Sequence, residues 1–490
     1  MSNQLTEAQQ AFLREVREVL PAERLRLGAE ALAPYECDGL SVLRELPLCV
    51  VLPQDRREVE AVLRLCHRHG VPVVPRGAGT GLSGGARPVA GAVLLSLARM
   101  NRILALDLEN RTARVEPGVR NLAISEAARP HGLYYAPDPS SQIACTIGGN
   151  IAENSGGVHC LKYGLTVHNV LAVDVLTAAG ELLQLGGLGP DAPGYDLLPL
   201  FIGSEGLLGI VVEVTVRLLP VPDDTVVLLA AYDSVAAAAQ TVSAIIAAGI
   251  IPAGLEMMDR LAIEAAEAYV HAGYPTAAAA ILLCELDGSE EELVQREEEV
   301  MAFLRQHGAT DIRVAHDPQL RALLWKGRKA AFPAVGRMAP DYYCMDGTIP
   351  RSRLAEVLDQ IQLWSQEYGL AVANVFHAGD GNLHPLILYD ANESGQLAAT
   401  ESFGQRISGL CVAVGGSITG EHGVGVEKLD SMCVQFSAAE LAQMHQVKAA
   451  CDPLGLLNPG KAVPTLHRCA ELGAMHVHGG ALPFPDLERF

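Results

Sequence analysis

The chain of 490 residues contains no Cys-x-x-Cys pair, although it carries eleven cysteines. They stand singly at 37, 49, 66, 145, 160, 284, 344, 411, 433, 451 and 469. That spacing argues against a zinc ribbon, an encoded iron–sulfur cluster and a disulfide framework, and leaves the reduced thiols of a cytoplasmic protein as the expectation. Basic charge is scarce. Against 57 Asp and Glu there are 36 Lys and Arg, a net charge of −21, which argues against nucleic acid and against an anionic membrane surface. An anionic substrate stays open, because one Arg or Lys can dominate a small pocket. A bilayer-spanning apolar run is also missing. The longest stretch, Ser234–Leu255, is mostly alanine, is interrupted by Gln240, Thr241 and Ser243, and meets Pro252, so a buried helix is expected there. The opening Thr6-Glu-Ala-Gln9 precedes Phe12, Leu13 and Val16. It reads as a capped amphipathic helix, where a signal peptide needs an uninterrupted apolar core.

What is present points to a large buried core: 49% of residues are apolar and 19% charged, and the length suggests two domains. From Leu46 to Leu97 the pattern alternates strand, helix and strand. Asp55-Arg-Arg-Glu58 starts the helix, Gly70 stops it, and Val71–Pro75 and Gly91–Leu97 follow as strands. A hairpin over 103–116 and strands over 170–177 and 209–218 come next, and Pro220-Val-Pro222 marks the boundary. Beyond it, longer helices alternate with single strands, an α+β arrangement read as an antiparallel sheet with helices on one face. The expected division is an N-terminal helical segment (1–45), a first domain (46–220), a second (221–452), a return segment (453–465) and a tail (466–490). The tail holds His467, His476 and His478 and is expected to be a loose, solvated end.

The loudest motif is Pro75-Arg-Gly-Ala-Gly-Thr-Gly-Leu-Ser-Gly-Gly85. Gly79, Gly81 and Gly84 fit G-x-G-x-x-G, but a nicotinamide fingerprint needs a helix to start at the loop. Pro88 and Gly91 leave no room for one. A strand-to-strand loop whose own N–H groups hold phosphate is the better reading. Two further clusters, Thr146–Gly157 with Pro137–Ser141 before it, and Gly203–Ile210, suggest an extended ligand such as a dinucleotide.

These three stretches resemble the FAD-binding domain of the vanillyl-alcohol oxidase and p-cresol methylhydroxylase superfamily, and the second half resembles the FAD-linked oxidase C-terminal domain. Within it, the likeness is strongest to the flavin subunits of bacterial glycolate oxidases. The resemblance implies a two-subdomain FAD-binding domain and oxidation of a small 2-hydroxy acid, glycolate before D-lactate. A non-catalytic flavin-binding subunit is the reading from another class. It implies pyrophosphate contacts from Arg76, Gly77, Ala78, Gly79, Thr80, Gly81 and Ser83. Flavin or ribityl contacts are implied from Pro137, Thr146, Gly149, Asn154 and Ile210, and Asp138, Ser155, Gly156, Glu205 and Asn458 join the same site. No histidine lies between Val71 and Gly91, so non-covalent FAD is expected. Electrons would pass to partner subunits, a second flavin-domain subunit and an iron–sulfur subunit, and the chain would meet the inner membrane only through them.

A second constellation is Asn374-Val-Phe-His377-Ala-Gly-Asp380-Gly-Asn382-Leu-His384, read as strand, tight turn and strand. A hairpin can bring both histidines to one side as a metal pair, with Thr419-Gly-Glu421-His422 supplying another ligand. Two satisfied structural histidines are the competing reading. The resemblance implies a divalent metal (Zn, Mn or Fe) on His377, His384 and Glu421, with His422 as base. It also implies that Arg328, within Trp325-Lys326-Gly-Arg328-Lys329, grips the substrate carboxylate. A guanidinium can do so with two parallel hydrogen bonds. Lys326 and Lys329 read as a solvated helix face. The strand Asp341–Asp346 lacks a lysine found in relatives that act on diacids, which favours a monoacid.

Overall fold

The computed structural model describes residues 5–189 and 192–465, so the tail 466–490 and its histidines lie outside the described residues. Three of the five sheets among the described residues organise the chain. The first has four strands in the order Leu25–Arg26, Cys49–Val51, Val93–Ser96, Val73–Arg76, the last three parallel. Its helix Arg56–His69 starts where the Asp55 side chain accepts the Glu58 N–H and ends at Gly70 in the left-handed region. The apolar stripe of that helix packs with Phe12, Leu13 and Val16 of the helix Glu7–Val19 in one core. The expected N-terminal segment is therefore built into this sheet, through both the helix and the edge strand Leu25–Arg26.

The second sheet is antiparallel, in the order Ile103–Asp107, Thr112–Val115, Ile210–Arg217, Val170–Leu176, Leu182–Gly186. Strand Ile210–Arg217 alternates buried and half-buried residues, the mark of one packed face, and the helices Asn121–Ala128 and Ile147–Glu153 fill that face. Pro220-Val-Pro222 falls between this strand and the first strand of the third sheet, Asp224–Tyr232.

The third sheet has seven antiparallel strands: Asp311–Ala315, Asp224–Tyr232, Ala280–Gly288, Gly254–Asp259, Val372–Phe376, Pro385–Tyr389, Asp341–Cys344. The α+β class stands, with one detail corrected. Helices cover both faces of this sheet, not one. Val235–Ala247, Glu290–Gln306, Leu354–Tyr368 and Gln396–Ala413 pack on one side. Arg260–Val270, Pro318–Lys329 and Ala331–Val335 pack on the other. The cause is in the strands: Val226–Tyr232 is buried at every position, so both of its faces need a cover.

The alanine-rich stretch forms the helix Val235–Ala247, and among the described residues no helix is long and apolar enough to cross a membrane. After the last helix, Ala438–Cys451, the chain returns to the first sheet. Leu456 O accepts from Val73 N at 2.8 Å, and Asn458 N donates to Val73 O at 2.7 Å.

Candidate active site

The loop from Gly77 to Ala92 runs from strand to strand with no helix, as the proline and glycine spacing requires. It forms one wall of a cavity of about 530 Å³, together with segments from Pro139 to Ser155 and from Ser204 to Val211. The loop is packed tightly enough that a side chain at Gly77 would strike Thr146 Oγ1. Gly79, at φ +73°, leaves the Arg76 guanidinium the space it occupies, and Arg76 Nη1 donates to Cys37 O at 2.6 Å. Main chain is thus exposed along the wall, which suits the pyrophosphate of a dinucleotide.

Of the expected cofactor residues, Arg76 to Gly81, Thr146, Gly149, Ser155, Glu205 and Ile210 line the cavity. The others stand behind it. Ser83 Oγ donates to His422 O at 3.0 Å. The Pro137 carbonyl accepts from Asn121 Nδ2 at 3.1 Å. Asp138 pairs with His159 and Lys329. Asn154 caps the helix Ile147–Glu153 and accepts from Val167 N. At Gly156 any side chain would meet Glu421 Oε2. Asn458 Nδ2 donates to Gly85 O at 3.1 Å and Glu205 O at 2.8 Å.

The opposite wall belongs to the third sheet. Strands Val372–Phe376 and Pro385–Tyr389 hold the turn between them so that the His377 and His384 rings lie edge to face with centroids 5.2 Å apart. Glu421 Oε1 is 3.2 Å from His377 Nε2 and 3.4 Å from His384 Nε2. His422 stacks on His384 at 4.9 Å. His384, Glu421 and His422 face the cavity, and His377 lies just behind them.

These donors suit a divalent metal on geometric grounds. Both nitrogens of the buried His384 lack a hydrogen-bond partner, and the three ligand atoms converge. Glu256 Oε1 meets His377 Nδ1 at 2.7 Å, where an outer carboxylate would orient the other ring nitrogen toward a metal. Burial alone lowers the His377 imidazole, but Glu256 and Glu421 outweigh it and hold it well above the usual imidazole range. Burial raises the Glu421 carboxyl, yet His377, His384 and His422 bring it down to about 2. Burial lowers His422 to about 4, which keeps its ring neutral near pH 7.

Arg328 is 1% exposed and does not line the cavity. Its Nη2 lies 2.6 Å from Glu256 Oε2, while Nε and Nη1 have no hydrogen-bond partner. Lys329, expected on a solvated face, lines the cavity instead.

Sequence reasoning missed two buried carboxylates. Glu256 sits between Leu255 and Met257 in the buried run of the strand Gly254–Asp259, and a charge at that inner position was the available signal. Asp346, 0% exposed, accepts from the backbone N–H groups of Gly420 (3.0 Å), Glu421 (3.2 Å) and His422 (3.0 Å). It anchors the loop that carries Glu421 and His422.

Residues 47–186 match the FAD binding domain family, and residues 221–462 match the C-terminal domain of FAD linked oxidases. The chain belongs to the FAD-linked oxidases and is a flavoprotein oxidoreductase. It is 62% identical over 480 residues to the glycolate oxidase subunit GlcD of Escherichia coli strain K12, covering 98% of this chain and 96% of that one. It is 33% identical over 460 residues to a D-lactate dehydrogenase of Anaerostipes hadrus, covering 92% and 96%. Among solved structures, p-cresol methylhydroxylase with substrate bound shares the fold at a TM-score of 0.80 and 16% identity, over 94% of this chain and 98% of that one.

Proposed function

We propose that the chain oxidises glycolate to glyoxylate as the flavin-bearing subunit of a larger oxidase. One observation carries the reading: His384, Glu421 and His422 face the same cavity as the glycine loop. The family match and the 62% identity to a glycolate oxidase subunit support it. His377, His384 and Glu421 would hold a divalent metal, which would supply Lewis acidity to the 2-hydroxyl. His422 takes the hydroxyl proton. Arg328, its Nη2 on Glu256, adds positive charge behind the cavity wall. The loop from Arg76 to Gly81 would hold FAD without a covalent bond, and the cofactor would supply the acceptor for a hydride from C2.

Electrons then leave to a partner, since no cysteine spacing here encodes a cluster. A second flavin-domain subunit and an iron–sulfur subunit fit that need, and the assembly works in the cytoplasm or against the inner membrane. D-lactate is the second substrate to test, because a relative covering most of the chain is named for it. The test is anaerobic mixing of the FAD-loaded protein with glycolate and with D-lactate. Bleaching of the flavin band, faster with glycolate, is expected. No bleaching with either acid refutes the proposal.

A further inference from the structure

An anionic substrate entering this cavity has to meet a cation, and among the described residues only two Lys or Arg side chains line it, Arg76 and Lys329. Arg76 is held on the glycine-loop wall by Cys37 O. Lys329 is on the other wall, with Phe332, Tyr342, His384 and His422. It is the last residue of the helix Pro318–Lys329, and its side chain keeps 31% exposure. Its buried neighbour Arg328 faces Glu256 instead.

Lys329 belongs to a cluster of two basic and two acidic side chains, with His159, Asp138 and Glu285. Nζ lies 3.2 Å from Asp138 Oδ2, and the same oxygen is 3.0 Å from His159 Nδ1. His159 N also donates to Asp138 Oδ1 at 3.2 Å. His159 Nε2 also lies 2.9 Å from Glu285 Oε1, so the group is balanced, and Lys329 is its one member that lines the cavity, where a substrate anion can compete with Asp138 for it. The side of the cavity beside it is closed by the Phe332 and Tyr342 rings, packed edge to face with centroids 6.4 Å apart.

We infer that Lys329 captures the substrate carboxylate at the cavity surface, with Asp138 and His159 as its positioning pair. The inference rests on the 2-hydroxy-acid reading and deepens it. Lys329 binds the acid group, His422 and the metal ligands address the hydroxyl, and the aromatic pair limits the chain beyond C2.

The test compares Lys329→Met and Lys329→Arg in the full FAD-loaded protein. In Lys329→Met, KM for glycolate should rise about ten-fold while kcat stays within about three-fold, and Lys329→Arg should restore most of the loss. Oxalate binding, read from the flavin difference spectrum, tests capture without turnover and should weaken about ten-fold in Lys329→Met. If methionine is not tolerated beside Asp138, Lys329→Gln keeps a hydrogen bond to it and carries the same expectation. Turnover with unchanged KM and oxalate affinity in the Met or Gln variant overturns the inference and leaves the proposed function standing. Wild type that binds oxalate through Lys329 but oxidises no 2-hydroxy acid supports the capture role and refutes the proposed function.

Discussion

Replacing Asp346 with asparagine keeps the shape of the side chain and removes its charge. Oδ2 accepts from Gly420 N and His422 N, both at 3.0 Å, and from Thr419 Oγ1 at 2.6 Å, and Lys428 Nζ stands 3.4 Å away. Burial raises this carboxyl, but His422 and Lys428 outweigh it and hold it well below the usual range. A hydrogen bond to an ionised acceptor is worth about 1 kcal/mol more than a neutral one, so three such bonds lose about 3 kcal/mol. Lys428 is left with Glu427 at 3.3 Å, which adds about 1 kcal/mol for a buried charge that is only partly paired. The total, about 4 kcal/mol, should lower the urea midpoint by about 1–2 M. The assay is intrinsic fluorescence, because both tryptophans, Trp325 and Trp364, lie in the second half of the chain and report on that unit. The Asp346 contribution is present above about pH 4 and is lost as pH falls toward its depressed folded value. The difference between wild type and variant should therefore shrink in acid. Turnover should fall about a hundred-fold as the His422 backbone loses its anchor. A variant with the wild-type midpoint and rate would show that the loop is held by other contacts, and the reasoning would fail.

Glu256→Gln should loosen His377 and weaken zinc or manganese binding about ten-fold, measured by competition with a fluorescent chelator. Unchanged affinity would remove Glu256 from the metal's support. His422→Asn should keep its FAD but slow flavin reduction by glycolate roughly 10²–10⁴-fold in stopped flow. Full-rate reduction would assign the base elsewhere. At His159, burial lowers the imidazole, but Asp138 and Glu285 raise it to about 10. Its stabilising effect is complete below about pH 6.5 and is lost as pH rises toward 10. His159→Gln should cost about 2 kcal/mol at pH 6 and nearly nothing at pH 10, read from melting temperatures. A gap that does not narrow with pH would contradict the charge network.

The elements that sequence patterns located are those whose causes are local. The helix Arg56–His69 is bounded by Asp55 and Gly70, and Glu7–Val19 begins at a capping box from Thr6 to Gln9. The histidine pair was legible because a glycine turn separates two apolar strands. The buried anchors were not, because their partners are distant in the chain. Glu256 and His377 are 121 residues apart, Asp138 and Lys329 are 191 apart, and Ser83 and His422 are 339 apart. Polar residues of the glycine-rich motifs are expected as ligand contacts, and Ser83, Asp138 and Asn458 also hold neighbouring main chain or side chains. In such loops the exposed backbone meets the ligand, and the side chains brace the backbone.

The loop Thr419–Gly425 shows why this matters for chemistry. From the second domain, Asp346 takes the N–H groups of Gly420 to His422. From the first domain, Glu205 takes those of Val424 and Gly425, each at 2.7 Å, and Ser83 bonds the His422 carbonyl. The proposed base is thus fixed to both halves of the molecule by carboxylates on opposite sides of one short loop. Its position relative to the glycine loop and to the histidine pair is set together by packing that neither half's sequence encodes alone.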